Sequence, residues 1–187
     1  MLEPLLLRDQ LLATKFFVPS SSHPVIPRPH LNTLLNQGLQ RKLTLISAPA
    51  GFGKTTLLST WVQSFSQENP EAPRVAWVSL DEGDNEPILF WTYVLTALDT
   101  QQPGLCAQLL AYLQTLQAPT PPVRYVLQAL INTLANRTEQ FLLALDDYHL
   151  ITRAEVHSSF TYLVEHLPSQ LHIVLATRAD PPLPLSL

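Results

Sequence analysis

The sequence predicts an α/β fold in which a parallel sheet lies between two layers of helices. Three observations carry that expectation. A short apolar stretch, Leu43 to Ser47, runs through a turn of small residues into a helical segment that opens with Lys54-Thr55-Thr56. A continuous apolar run, Phe141 to Leu145, ends in two acids, Asp146-Asp147. Runs of that kind suit a central parallel strand covered on both faces. Further strands, Arg74 to Leu80 and Leu171 to Ala176, alternate with stripes of apolar residues at helical spacing.

The first stretch has the order strand, loop, helix. Apolar residues at Leu57, Leu58, Trp61, Val62 and Phe65 give the helical period after the loop Ala48-Pro49-Ala50-Gly51-Phe52-Gly53. This is the context of a phosphate-binding P-loop. Consecutive amides in such a loop point into one concavity, and the new helix adds its unsatisfied N–H groups and positive dipole end. The candidate nucleotide-binding residues are Ala50, Gly51, Phe52, Gly53, Lys54, Thr55 and Thr56. Gly51 and Gly53 permit close phosphate approach. Lys54 carries an ammonium to the β- and γ-phosphates, and the Thr55 hydroxyl is placed to ligate Mg²⁺. The pattern G-x-x-x-x-G-K-[ST] has Ala48 at its first position. The bland alternative is a fortuitous turn before a helix.

Composition limits the rest. Apolar residues make up 46% of the 187, enough for a substantial core, whereas charged residues make up only 14%, so part of the apolar surface is expected to be covered by something outside this chain. The net charge is −4 and no run of Lys and Arg occurs, which argues against direct nucleic-acid contact by this segment. Cys106 is the single cysteine, so no intrachain disulfide forms; it is expected in the core, as suits a cytoplasmic protein. Glu3 and Arg8-Asp9 break any export signal, and no apolar run approaches the ~20 residues of a membrane span.

In order, residues 1–40 form an arm with a short helix, and 41–187 form the NTPase domain. Prolines at 19, 24, 27 and 29 keep the arm extended, and a helix from His30 is expected to end at Gly38. Arg28, just before it, is either a solvated charge or a contact to nucleotide base or phosphate. Gln67 to Pro73 reads as a polar turn. After the strand from Arg74, the acidic loop Asp81 to Glu86 is expected to be solvated and to cap the following helix, with a metal site as the weaker reading. Three helices follow, with stripes through Trp91, through Leu109 and through Leu127, the last with Thr120 as N-cap.

Asp146-Asp147 lie at the carboxyl end of a strand, where ligands bind in open α/β sheets. They read as a Walker B pair. Asp146 would hold Mg²⁺, and Asp147 would orient or deprotonate the attacking water. His149 adjoins them, with a structural hydrogen-bonding role favoured. Thr152-Arg153-Ala154-Glu155 is a capping-box pattern. Arg178, at the end of the last strand, either reaches a γ-phosphate or pairs with Asp180.

With these residues assembled, the chain resembles the ATPase domain of MalT-like regulators, large transcriptional activators with a LuxR-type DNA-binding domain and members of the STAND class of P-loop NTPases. The segments that carry the likeness are Ala13-Thr14-Lys15-Phe16, Val25-Ile26-Pro27-Arg28-Pro29, Ala48 to Thr56, Trp77 to Asp81, Leu145 to His149, and Thr177 to Pro182. The resemblance implies a three-layer P-loop NTPase of ASCE/STAND type that binds ATP or ADP with Mg²⁺ under a downstream lid, hydrolyses slowly, and oligomerises when ATP-bound. It places Arg28 near the adenine and makes Arg178 the sensor arginine. It also implies a sheet ordered 5-1-4-3-2. Four strands are present here, so the fifth strand, the lid, the repeats and the DNA-binding module are expected to be missing, leaving Leu43–Ser47 as an apolar edge.

The function expected is therefore a nucleotide switch inside a transcriptional regulator, with Lys54 and Asp147 as catalytic residues. The alternatives are a generic P-loop phosphotransferase and a degenerate fragment that has lost nucleotide binding. GTP specificity is disfavoured because no N-K-x-D sequence is present.

Overall fold

The computed structural model of the chain describes residues 11–20, 26–65, 72–115 and 123–183. Thr120, Val25, Leu116 and most of the turn from Gln67 lie outside the described residues. The strands are β1 (Leu43–Ser47), β2 (Arg74–Ser79), β3 (Phe141–Asp146) and β4 (Leu171–Thr177). The helices are α1 (Pro29–Gly38), α2 (Lys54–Gln63), α3 (Pro87–Gln101), α4 (Ala107–Thr115), α5 (Val123–Ala135) and α6 (Ala154–Glu165).

The sheet is parallel throughout, with the order β1-β4-β3-β2. This is the order implied by the resemblance, without its fifth strand. Among the described residues nothing pairs with the outer side of β1, so Leu43–Ser47 is the edge that the sequence led one to expect. The register aligns the carboxyl ends: Ser47 faces Thr177, and Ser79 faces Asp146. Every functional loop therefore leaves the sheet on the same side.

Alternation along the strands builds the two outer layers. Leu143, Leu145, Ile173 and Leu175 turn to one face and meet α3, α4, α5 and α6. Leu142, Ala144, Val174 and Ala176 turn to the other and meet α1 and α2. All of β3 is buried, as its unbroken apolar run requires. Each fully buried leucine or phenylalanine of this kind contributes roughly 1.5–3 kcal/mol. The three buried tryptophans also satisfy their indole N–H groups, on Asn36, Ser79 and Ser159. Cys106 is fully buried, as expected, and burial pushes its thiol pKa up to about 12.

Two local expectations are corrected. The acidic loop is solvated only in part: Asp81, Glu82 and Glu86 are exposed, but Asp84 is not. Lys15, from the arm, places its ammonium 2.7 Å from Asp81 and 2.7 Å from Asp84, and Asp84 is buried. Burial by itself would lower the Lys15 pKa, but the bonds to the two carboxylates outweigh it and hold the pKa above its ordinary value. A buried charge persists only when paired in this way. Glu86 does cap α3, accepting from Leu89 N at 2.9 Å. The second correction is at α6. It begins at Ala154 and its N-cap, Arg153, makes no side-chain cap bond, so the Thr152–Glu155 capping box does not form. The amides of Thr152 and Arg153 instead donate to Asn85 Oδ1 at 2.7 and 3.1 Å. Asn85 thus accepts from the Thr152 amide, the role that the Glu155 side chain would have in a capping box.

Candidate nucleotide-binding site

The loop between β1 and α2 has the backbone that its sequence demands. Gly51 and Gly53 sit at φ of 82° and 76°, in the left-handed region open to glycine, and Gly53 is the N-cap of α2. No atom lies within 4 Å of where a Cβ on Gly51 would stand. Gly51 is therefore required by its backbone angle and not by crowding. Lys54 is almost buried, and its ammonium donates to Pro49 O at 3.1 Å, folded across the loop. Ala50 and Phe52 are exposed, and Thr56 lies in the first turn of α2.

Asp146 ends β3 directly opposite α2. Thr55 Oγ1 donates to Asp146 Oδ1 at 3.1 Å. Burial raises the Asp146 pKa above the ordinary carboxylate value, an effect that the Thr55 bond and the nearby Lys54 charge only partly offset. A carboxylate and a hydroxyl in contact, both hard oxygen donors, fit Mg²⁺. Asp147 follows at φ 57°, the sole described non-glycine residue with positive φ. That turn breaks the strand direction, and the Asp147 amide donates to Asp146 Oδ1 at 3.1 Å. The 3₁₀ turn Tyr148–Leu150 is pinned from behind: Tyr148 is fully buried with its hydroxyl 3.1 Å from His157 Nδ1, and Asn85 Nδ2 donates to Leu150 O at 2.8 Å.

Arg178 lies just beyond β4, exposed, and forms no ion pair with Asp180. It acts electrostatically on the His149 ring, as do Asp147 and Lys54. His149 itself departs from the structural role favoured for it, because neither ring nitrogen has a hydrogen-bond partner. On the other side of the P-loop, Arg28 Nη1 lies 3.5 Å from Phe52 O. Arg28, Leu31, Leu34, Ile46, Phe52 and Leu57 line a groove of about 340 Å³ that reaches Gly53 and Lys54. The fold therefore brings together Arg28, the P-loop, Asp146, Asp147 and Arg178 in one band across the carboxyl edge of the sheet. Sequence reasoning missed Asn85 and Lys15, whose roles rest on contacts 65 and 69 positions distant. No local spacing signals such pairs.

The family described as Nephrocystin 3, N-terminal, matches residues 24–178. The chain belongs to this family. Within the Nephrocystin 3 N-terminal family match lie the P-loop, both aspartates and Arg178. The chain is 34% identical over 174 residues to the HTH-type transcriptional regulator MalT of Vibrio parahaemolyticus, covering 92% of this chain and 18% of that protein. It is 33% identical over 172 residues to the MalT regulator of Vibrio campbellii, with the same coverage. The resemblance to MalT-like regulators is thus borne out, and the chain spans less than a fifth of the length of these relatives, at 18%. Among solved structures, that of Cdc6p from Pyrobaculum aerophilum superposes with a TM-score of 0.53 at 19% identity, over 90% of this chain and 45% of that one. That likeness concerns the fold, a three-layer α/β P-loop NTPase.

Proposed function

We propose that this chain is the ATP- and ADP-binding switch module of a longer MalT-like transcriptional regulator, with slow Mg²⁺-dependent hydrolysis. The observation that carries the reading is the Thr55–Asp146 hydrogen bond, which joins the P-loop helix to the end of β3 where a Mg²⁺–phosphate unit would sit. Gly51, Gly53 and the start of α2 would cradle the β-phosphate with their amides. Lys54 would leave Pro49 O for the β- and γ-phosphates, and Arg178 would meet the γ-phosphate from β4. The groove beside α1 would receive the base, with Arg28 at its rim and Leu31, Leu34 and Phe52 as apolar wall. Thr55 and Asp146 would hold Mg²⁺, which when bound neutralises phosphate charge. Asp147 would take the proton of the attacking water.

A switch fits better than a rapid phosphotransferase because the sequence offers no evident segment to bind a second substrate. Control of oligomerisation and transcription would lie in the parts of the longer relatives that this chain does not span. Calorimetric titration with Mg²⁺–ATP and with ADP tests the reading. Specific binding by the native chain and none by Lys54→Ala supports it; equal binding by both removes it. Fast turnover without a partner would favour the phosphotransferase.

A further inference from the structure

His149 is the one described residue of the phosphate end whose chemistry is unused. Both ring nitrogens are sealed from solvent and bonded to nothing, an arrangement that a folded protein rarely tolerates without a reason. Nδ1 lies 3.7 Å from Asp147 Oδ1, outside hydrogen-bonding range but facing it. The side chain is only 15% exposed, and the turn that carries it is pinned by the bond from Asn85 Nδ2 to Leu150 O. Asp147 is held in a left-handed backbone conformation, so its carboxylate is aimed by the turn and not by the strand. Hydrogen bonds within catalytic sites are often long without substrate and tighten when it arrives.

We infer that His149 is a positioning residue for Asp147: its Nδ1–H closes onto one carboxylate oxygen when nucleotide fills the site, and so turns the other oxygen towards the attacking water. The inference rests on the nucleotide-hydrolysing reading above. In that step the water oxygen bonds to the γ-phosphorus, the bridging P–O bond breaks, ADP leaves with the bond's electrons, and the water's proton passes to Asp147. The imidazole neither gains nor loses a proton. It supplies a fixed donor, as the orienting member of a nucleophile–base–orienter set does.

The test uses the 187-residue chain with ¹⁵N-labelled histidine, Mg²⁺, ADP and aluminium fluoride. The expected result is a His149 ring with its proton on Nδ1, in slow exchange only when the nucleotide is bound, and lost in Asp147→Ala. His149→Asn, whose amide nitrogen can stand where Nδ1 stands, assigns the signal. In turnover, His149→Phe should lower kcat about 10- to 100-fold, the usual cost of removing an orienting partner, with affinity for ATP and ADP within about twofold. His149→Asn should recover most of that loss. His149→Phe added to Asp147→Asn should cost nothing more, since the two residues act as one unit. A His149 proton on Nε2 in both states, or losses that simply multiply in the double variant, would overturn the inference. Absence of any nucleotide binding by the native chain would instead bring down the functional reading itself. Where turnover is too slow to follow, the ring signal decides alone.

Discussion

Thr55 Oγ1 and Asp146 Oδ1 lie 3.1 Å apart although 91 positions separate them in the chain. The same aspartate is buried and its pKa is raised by that burial. A carboxyl whose folded pKa is raised adds stability only when protonated; that contribution is lost as pH climbs through the folded value, so at neutral pH ionised Asp146 is a net cost to the fold. Asp146→Asn should therefore raise the melting temperature of the nucleotide-free protein, while removing the further rise that Mg²⁺–ATP gives to the native chain. Thermal melts with and without Mg²⁺–ATP check both halves. An Asp146→Asn protein that melts lower, yet is still stabilised by Mg²⁺–ATP, would contradict the assignment.

Asp147 stands at φ 57°. A β-carbon in that conformation costs roughly 1 kcal/mol, which glycine avoids. Asp147→Gly should thus be more stable than Asp147→Ala by about 1 kcal/mol in urea unfolding. Both should bind ATP and fail to hydrolyse it at the native rate. If Asp147→Ala matched Asp147→Gly in stability, the turn would not be strained. If either hydrolysed normally, Asp147 would not be the base.

Gly38 closes α1 against β1. A Cβ added there would come within 2.6 Å of Thr44 Oγ1. That hydroxyl is not free to yield, since it lies 3.0 Å from His172 Nε2. Alanine normally gains about 0.5–1 kcal/mol over glycine inside a helix, whereas forced overpacking costs about 1–3 kcal/mol, so the clash wins. Gly38→Ala should destabilise by about 1 kcal/mol in urea unfolding, and Thr44→Ala in the same chain should recover most of that loss. A Gly38→Ala protein as stable as the native one would show that β1 and α1 can slide apart freely.

Burial lowers the pKa of His172 and of His157, each partly offset by a backbone bond, to Arg41 and to Ile151. Their folded values lie below the ordinary 6.5, so the unfolded chain binds protons first as pH falls. Their contribution is complete above about pH 6.5 and is lost below it, down to the folded values. The melting temperature should be level from about pH 8 to 7 and fall towards about pH 5. His172→Gln should make that fall shallower. Native and His172→Gln profiles of equal slope down to the acid end of that range would mean that the His172 ring does not resist its proton.

The strands and the P-loop were legible in the sequence because their signals are local. Leu43–Ser47, the glycine pair and Lys54-Thr55 form one contiguous pattern, and the run Phe141–Leu145 declares a strand buried on both faces. The end of α1 at Gly38 and the start of α2 at Lys54 followed from the same local chemistry. What remained hidden depends on partners distant in sequence. Thr152 has the composition of a cap, yet Asn85 from another loop supplies the acceptor. The acids after β2 have the look of a solvated loop until a lysine from the arm is placed between them. His149 reads as an ordinary polar neighbour until its nitrogens are seen to have no bond.

Asn85 carries a consequence of its own. Its amide clips Leu150 O and two amides after it, while the adjoining Asp84 is clamped by Lys15. The turn bearing Asp147 and His149 is therefore moored, through two links, to a residue near the start of the chain. Cutting the Lys15 tether would loosen that distant corner of the candidate site without altering the loop before α2, so the arm is a mechanical anchor for residues more than a hundred positions away.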